Sequence, residues 1–524
     1  MEIARVMARL HEYQGKAILA ANGFKIPRGR AASTADDAVA VFKELAGGTK
    51  GNEVVVKIQA WTTGRAGIGG VMFAKRPDDV RGHAARMLGM KVGQFPVEAV
   101  LVEEKIAIER EFFLSFAIDD AARSPVIIFA AGGGTGIEGR AASTRRIVCD
   151  VKRGPLESAV SEAAGSCGLT TEHAGQLAES IQKLFAAARS VEARSLEINP
   201  LVLTKEGEFV AADCRITIDD YAVARHPELG IEIAREFDHP PTALERVAYA
   251  AEQNDHRGTF YFAQLATAAA KDSKGLVGFH GAGGGGSMMS MDAIVNAGFT
   301  IANFTDTSGN PSASKVYRAS RIILAQPGLV GYFGSGSGVA SQEQYWSAYG
   351  LAKAFWELDL DIPAVIRLGG NTEDRAVDIL QRMSGLLRAP VEGYRKTDAP
   401  AMIAERFAEL VAGVGLGGIK WKPRAPRMPE FVKDPKATML QVKGGRLWID
   451  TAKWPQIRRA VETHSGGLIV DREGKPVTAL PTEEFANKDS ELLACDVECR
   501  LAGLEGFYLE LDIPGLGELI GGAR

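Results

Sequence analysis

Glu197, Asn199 and Asp213 hold the oxygen atoms best spaced for chemistry in this chain. The string Glu197-Ile-Asn-Pro200 puts Glu197 and Asn199 on one face of an extended segment, because side chains alternate along a strand, and Asp213 can meet them from the return segment 208–213. Three oxygen donors converging from two neighbouring strands suit a hard cation that also touches phosphates, as Mg2+ does. An exposed hairpin with ordinary polar residues would show the same spacing.

Lys57 lies near the end of Glu53-Val-Val-Val-Lys-Ile-Gln59, ahead of the loop Thr62-Thr-Gly-Arg-Ala-Gly-Ile-Gly-Gly70. A strand lysine before a loop whose backbone N–H groups can line up on an anion suits an ATP phosphate site. Taken alone, such a lysine reads more readily as a surface residue at a strand end. A second anion-binding candidate is Gly281-Ala-Gly-Gly-Gly-Gly286, expected ahead of a helix that begins near Ser287. Free N–H groups and the positive end of a helix dipole favour an anion there, although a tight turn without a ligand fits equally. The run lacks the full dinucleotide spacing with an acidic residue about 20 positions on, so it is weak evidence for NAD. Cys495 and Cys499 could be half a metal site, but no second Cys/His pair at ligand spacing accompanies them.

The elements that must position these residues fall into two patterns. Up to about residue 240 strands dominate: 53–59, 71–74, 99–103, 111–118, 126–130, 195–204 and 208–213, with helices over 10–21, 36–45 and 173–189, which predicts an α+β fold. A second glycine loop runs from Gly132 to Glu138. After the Pro-containing stretch 237–241 the order becomes strand, glycine turn, helix, with strands at 275–280, 328–333 and 363–368 and helices at 287–297, 316–324, 342–357 and 373–387. That alternation implies an open parallel sheet wound by helices, with ligands at the strand C-termini. Trp421 to Pro429 is a Pro-rich, basic linker, semi-rigid by composition. Beyond it lies a separate piece with strands at 439–442, 447–450 and 468–471, a helix at 455–461 and no chemical motif.

The 524 residues predict three to five domains. With 61 Lys+Arg against 65 Asp+Glu, the net charge of −4 offers no global basic field for nucleic acid or an anionic membrane. No apolar stretch approaches about 18 residues, and residues 1–10 lack a signal-peptide apolar region, so neither a transmembrane helix nor a leader is expected. Five cysteines, an odd and sparse set, fit a reducing cytoplasm.

Several segments together resemble one family, the β subunit of succinyl-CoA synthetase and its ADP- or GDP-forming acid–CoA ligase relatives. They are Leu10-His-Glu-Tyr-Gln-Gly-Lys16, Val55-Val-Lys-Ile-Gln59, Gly64-Arg65 through Gly69-Gly-Val71, Val102-Glu103, Arg110-Glu111, Glu197-Ile-Asn-Pro-Leu-Val202 and Ala212-Asp213. Farther on, Gly281-Ala-Gly283, Ala302-Asn-Phe304 with Asp306, Phe333-Gly334 and Arg367-Leu-Gly-Gly-Asn371 keep the family's order and spacing, so the likeness covers roughly residues 9 to 415.

The resemblance implies an ATP-grasp domain over 1–240, a flavodoxin-like ligase domain over 241–420, a linker at 421–434 and an additional α+β piece over 435–524. It implies that ATP or GTP phosphorylates a small carboxylic acid, that a histidine of an α-type partner subunit carries the phosphoryl group, and that CoA thiol attacks the acyl phosphate. Lys57, Gly64, Arg65, Gly67, Glu103 and Glu111 would serve the nucleotide, Asn199 and Asp213 the Mg2+, and Lys57, Arg65, Glu197 and His280 the chemistry. His280, Gly281, Ala282, Gly283, Gly334, Ser335 and Gly336 would face the substrate or the phosphohistidine.

Departures from the pattern refine these expectations. The loop reads Thr62-Thr63 and Ala66-Gly67 where relatives carry more glycine and a lysine. His280 replaces the family's asparagine, which leaves it as a substrate contact, a phosphoryl acceptor or a structural residue. Phe333-Gly-Ser-Gly-Ser-Gly-Val339 is longer and lacks the arginine that follows in succinate enzymes, so an acid other than succinate is expected. Tyr345, Trp346 and Tyr349 suit a packed helix face, with a wider aromatic acid pocket as the alternative. The readings left beside the CoA ligase are an ATP-grasp ligase with a non-CoA nucleophile and a non-catalytic scaffolding homologue.

Overall fold

The structure, a computed structural model, describes residues 6–46, 53–62, 64–133, 144–235, 237–253, 258–336, 340–415, 419–442, 444–464 and 489–521. Thr63, positions 134–138 of the second glycine loop, positions 337–339 of the Ser-Gly loop and the strand expected at 468–471 lie outside them. Contacts divide the chain into two units, Met1–Pro240 and Pro241–Arg524.

The first unit opens with helix α1 (Glu12–Ala21), whose entry is fixed by the Gln14 Oε1 accepting from the His11 N–H at 2.9 Å. A four-stranded antiparallel sheet follows, in the order β1 (Gly29–Ala32), β4 (Val100–Glu104), β2 (Val54–Ile58), β3 (Val71–Ala74). Val54, Val56 and Ile58 point one way and pack on α2 (Ala35–Ala46) and α3 (Pro77–Leu88). The period of two therefore turns Val55 and Lys57 to the opposite face. A larger antiparallel sheet runs Gly154–Pro155, β7 (Thr144–Asp150), β6 (Ser124–Ala130), β5 (Ile108–Asp119), β8 (Ala193–Thr204), β9 (Phe209–Ala211), with β10 (Arg215–Ile218) also paired to β8. Its apolar face is covered by α4 (Thr171–Ser190), capped where the Thr170 hydroxyl accepts from the His173 N–H at 3.2 Å.

In the second unit the main sheet has the spatial order β11 (Tyr261–Gln264), β13 (Asn303–Asp306), β12 (Leu276–Ala282), β14 (Leu329–Gly336), β15 (Ala364–Arg367), β16 (Val391–Tyr394). Strands β12 to β16 are parallel and β11 is antiparallel. Numbered along the chain, the five parallel strands read 2-1-3-4-5 across the sheet, the flavodoxin-like order, whose switch point falls between β12 and β14. Every residue of β12 is buried, as expected for a strand covered on both faces. The helices are α5 (Gly284–Asn296), α6 (Ala313–Ile323), α7 (Tyr345–Glu357), α8 (Glu373–Ser384) and α9 (Pro400–Gly415). Helix α5 begins at Gly284, three residues earlier than the sequence suggests, so Gly284 to Gly286 form its first turn.

The basic Pro-rich stretch is packed where a linker was expected. The Trp421 indole is buried and donates to the Leu324 carbonyl at 2.6 Å, while the Arg427 guanidinium lies over Trp356 with its Nε donating to the Trp356 carbonyl at 2.6 Å. The chain then forms a three-stranded antiparallel sheet, β17 (Thr438–Val442), β18 (Gly445–Ile449) and β19 (Phe507–Leu511), with α10 (Trp454–His464) and α11 (Asp489–Leu501). Leu440, Leu447, Ile457, Leu493 and Leu509 join one apolar core with the residues of α6 and α7.

Candidate functional site

The first unit gathers one cluster from four places in the chain. Val55 pairs with Glu103 across β2 and β4, so Lys57, two residues on, is the diagonal neighbour of Glu103 on the sheet face turned away from the helices. Helix α1 is brought in through Gly15. A Cβ there would come within 2.8 Å of the Cys214 Sγ, a close approach that only glycine permits and that lays Glu12 and Lys16 against the segment before β10. The fourth piece comes from the pairing of β8. Leu201 opposes Ala211 and Glu197 opposes Arg215, so the register between those pairs sets Asn199 opposite Asp213.

Three cations and three carboxylates meet here. Lys57 Nζ lies 2.5 Å from Glu103 Oε1 and 2.9 Å from Glu12 Oε1, and donates to the Ala212 carbonyl at 2.8 Å. Lys16 Nζ reaches Glu103 Oε2 at 2.7 Å, Glu12 Oε1 at 2.8 Å and the same Ala212 carbonyl at 2.8 Å. Arg65 spans the other oxygens, with Nη1 2.7 Å from Glu12 Oε2 and Nη2 2.6 Å from Asp213 Oδ2. Burial alone would neutralise Glu12, but Lys57, Lys16 and Arg65 outweigh it and hold the carboxyl well below the carboxylate range. Burial likewise opposes the charge on Lys57 and Arg65. The facing carboxylates win again and raise both.

Asn199 in β8 and Asp213 in the short segment between β9 and β10 carry an amide and a carboxylate oxygen, a donor set of hard oxygens that fits Mg2+. The Asn199 Nδ2 donates to Glu197 Oε1 at 3.4 Å, and Asp213 Oδ1 accepts from the Cys214 N–H at 2.7 Å. Gly64 and Gly67 stand in a loop closed on itself by N–H donation from Gly67 to the Gly64 carbonyl at 2.9 Å and from Gly70 to the Arg65 carbonyl at 2.7 Å. That closure aims the Arg65 side chain inward. Glu111 sits apart from the cluster's ion pairs, in β5 opposite Val202. Glu103 does not present a free carboxylate to a base, because both its oxygens are taken by lysines. Glu12 and Lys16 were missing from the sequence-derived site, although their i, i+4 spacing on an amphipathic helix was the available signal.

The second unit places its candidates at the switch point. A narrow pocket of about 10 Å3, room for a single water, is lined by His280, Ala282 and Thr307 on one side, Gly334, Ser335 and Gly336 on the other, and by Val316, Ser347, Leu351, Ile366 and Leu368. Among the described residues, no Lys or Arg lines it. Gly281 is required by close approach, since a Cβ would lie 2.8 Å from both the Ser287 Oγ and the Thr305 carbonyl oxygen. Gly283, at φ 96°, donates its N–H to Asp306 Oδ1 at 2.9 Å, so that group is already taken. The first-turn N–H groups of α5 behind it have no intrahelical acceptor and form the positive pole of the helix.

His280 lines this pocket but is spoken for. Its Nδ1 is 2.6 Å from the Tyr332 hydroxyl and its Nε2 3.0 Å from Thr307 Oγ1. Burial holds the imidazole pKa down to about 3 and keeps the Tyr332 phenol protonated, so the neutral ring donates through one nitrogen and accepts through the other, with Tyr332 and Thr307 as the two partners. With both nitrogens engaged and 5% of the residue exposed, His280 presents no lone pair to a phosphoryl donor. Tyr345, Trp346 and Tyr349 stay out of the pocket lining: Tyr349 is buried with its hydroxyl donating to Glu498 Oε1 at 2.7 Å, and Arg375 stacks on Tyr345 at 4.1 Å. Cys495 and Cys499 are buried thiols in α11. Burial pushes the Cys499 pKa up to about 12, and among the described residues no metal-ligand cluster includes either.

Residues 9–203 match the ATP-grasp domain family. The ADP-forming succinate–CoA ligase β subunit of Rubrobacter xylanophilus is 33% identical over 376 residues, 71% of this chain and 92% of that protein. The GDP-forming counterpart of Thermus thermophilus is 32% identical over 377 residues, 71% and 93%. Among solved structures, ATP citrate lyase from Methanothrix soehngenii, in complex with citrate and coenzyme A, gives a TM-score of 0.63 at 18% identity over 76% of this chain and 99% of that one, a likeness of fold. The first unit thus carries an ATP-grasp nucleotide fold, and the chain belongs to the succinyl-CoA synthetase β-subunit family of ADP- or GDP-forming acid–CoA ligases.

Proposed function

We propose that the chain is the nucleotide-binding β-type subunit of an acid–CoA ligase that activates a carboxylic acid other than succinate. The observation that carries this reading is the cluster in which Lys57 and Arg65 meet the register-paired Asn199 and Asp213. Lys57, Lys16 and Arg65 neutralise nucleotide phosphates, and Asn199 and Asp213 hold Mg2+, which when bound supplies charge neutralisation on the phosphate oxygens. In the reaction, the acid carboxylate takes the phosphoryl group as an acyl phosphate by way of the phosphohistidine of an α-type partner subunit. CoA thiol then displaces phosphate to give the thioester. The acid docks at the switch point against the mouth of the narrow pocket, and the α5 N-terminus, with its positive pole, faces the phosphorylated histidine.

A second carboxylate in that pocket would need a cation, and the lining supplies hydroxyls, a neutral imidazole and aliphatic groups instead. The Arg367 guanidinium, close by, is engaged by the Lys396 and Asp398 carbonyls at 2.7 and 3.1 Å. The absence of a cation from the described lining favours a monocarboxylate over succinate. The domain limits proposed are 1–240, 241–420, 421–434 and 435–524, the nucleotide is ATP or GTP, and the five free, buried cysteines support a cytoplasmic setting. No described helix is long and apolar enough to cross a membrane.

The test is Mg2+- and nucleotide-dependent loss of CoA thiol by the complex of this chain with its α-type partner, across aliphatic, hydroxy, dicarboxylic and aromatic acids. Thiol loss with one monocarboxylate is the expected result. Nucleotide consumption with thiol retained assigns an ATP-grasp ligase with another nucleophile. No consumption of either assigns a scaffolding role.

A further inference from the structure

Helix α7 carries two stripes. Ser347 and Leu351, one helical turn apart, line the switch-point pocket. Tyr349, Lys353 and Glu357, again at i, i+4 and i+8, face the piece of chain beyond residue 435. Each of these three is held by a polar contact to that piece. Tyr349 donates to Glu498 Oε1 at 2.7 Å, Lys353 pairs with Asp496, and Glu357 Oε1 accepts from the Tyr508 hydroxyl at 2.9 Å.

The Lys353, Glu357 and Asp496 contacts form one network, and the Tyr349–Glu498 contact stands beside it with Arg375 donating to the Tyr349 hydroxyl at 2.8 Å. Lys353 Nζ is also 2.8 Å from Glu357 Oε1, and Glu357 Oε2 accepts from the Tyr317 hydroxyl of α6 at 2.5 Å and lies 3.3 Å from Arg321. Asp496 accepts from Arg500 at 2.9 Å and from the Leu509 N–H at 3.2 Å. The Lys353, Glu357 and Asp496 side chains are at most 2% exposed. A buried network in which Lys353, Glu357 and Asp496 each have more than one partner favours one arrangement, because any rotation of α7 would strand a charge away from water. Helix α6 contributes to both sides in the same way, with Val316 on the pocket and Tyr317 in the network.

The geometry points to the C-terminal piece as the element that sets the wall of the acid pocket: through Tyr349, Lys353 and Glu357 it fixes the rotation of α7, and thereby where Ser347 and Leu351 stand against the substrate. Lys353, Asp496 and Glu498 are positioning residues that never touch the acid. This inference rests on the acid-binding reading of the pocket. The C-terminal piece thereby shapes specificity in the second unit without lining the site.

The experiment compares the wild-type complex with Lys353→Met, Lys353→Arg and Glu498→Gln, reading KM for the acid and for the nucleotide together with hydrogen exchange over residues 345–357. The KM for the acid rises about tenfold in Lys353→Met and less in Glu498→Gln, the scale of a sub-ångström to one-ångström misplacement. The nucleotide KM stays within about twofold, since that site belongs to the other unit, and Lys353→Arg recovers part of the loss. An unchanged acid KM in a folded variant whose α7 exchange has accelerated overturns the proposal, as does an equal rise of both KM values. If Lys353→Met does not fold, Glu498→Gln, which weakens the separate Tyr349 contact to α7, decides the matter alone. A wild-type complex that consumes no acid removes the acid-activating reading. The wall-setting role then stands if exchange over 345–351 quickens in Glu498→Gln, and falls if it does not.

Discussion

His280 should make the second unit sensitive to mild acid, by an amount the structure sets. Its imidazole is neutral in the folded state with a pKa near 3, against about 6.5 when unfolded. Between those values the unfolded chain binds one more proton than the folded chain. Stability is therefore complete above about pH 6.5 and is lost as pH falls toward 3. From pH 7 to pH 5 this one group removes about 2 kcal/mol, and the slope below pH 6 approaches about 1.4 kcal/mol per pH unit. His280→Asn abolishes that contribution whatever it does to stability at neutral pH. Five of the six tryptophans, Trp346, Trp356, Trp421, Trp448 and Trp454, lie in the second unit. Urea unfolding followed by tryptophan fluorescence at pH 7, 6 and 5 thus reports on the right half of the molecule. If wild type and His280→Asn lose the same stability between pH 7 and 5, the buried neutral imidazole bonded to Tyr332 and Thr307 is not the state of this residue.

Other substitutions probe the remaining features. Lys57→Met leaves Glu12 and Glu103 short of a cation and should cut turnover about a hundredfold or more with circular dichroism unchanged; retained turnover would remove Lys57 from the nucleotide site. Asp213→Ala should raise the Mg2+ concentration for half-maximal activity by at least about tenfold, since losing even an outer-sphere partner has that effect, and a magnesium titration checks it. Gly281→Ala drives a methyl group into Ser287 and Thr305 and should cost about 1–3 kcal/mol of second-unit stability, visible in the urea midpoint. Lys353→Met leaves Asp496 and Glu357 without their shared cation and should cost near the lower end of about 3–5 kcal/mol, because Arg321 and Arg500 remain beside them, again read from the urea midpoint.

The sequence was most informative where a single element decides the outcome. The β-branched run at Val54–Ile58, the glycine turn before α5 and the strand–helix alternation after residue 275 each follow from local pattern, and the family strings carried the likeness that the relatives bear out. It was least informative where placement depends on distant partners. Glu12 and Lys16 join the ion-pair cluster only because Gly15 lets α1 close on Cys214, about 200 residues away. His280 is fixed by Tyr332 and Thr307, and no spacing rule links them. Helix α11 was missed for another reason: Leu492 to Val497 and Cys499 are all buried, so the helix has no polar face to give it a period. Asp496, buried in its middle, reads as a surface residue until Lys353 is seen beside it.

The even match of positive and negative groups around Glu12 has a kinetic consequence. A cleft lined by one sign of charge pulls its ligand from a distance and loses that pull in salt. Here Lys16, Lys57 and Arg65 are cancelled by Glu12, Glu103 and Asp213, so the resting cleft projects little field into solvent. Capture of a nucleotide is then a trade of ionic partners at contact range. The association rate should change little with ionic strength, and most of the discrimination between nucleotides should lie in how long each one stays.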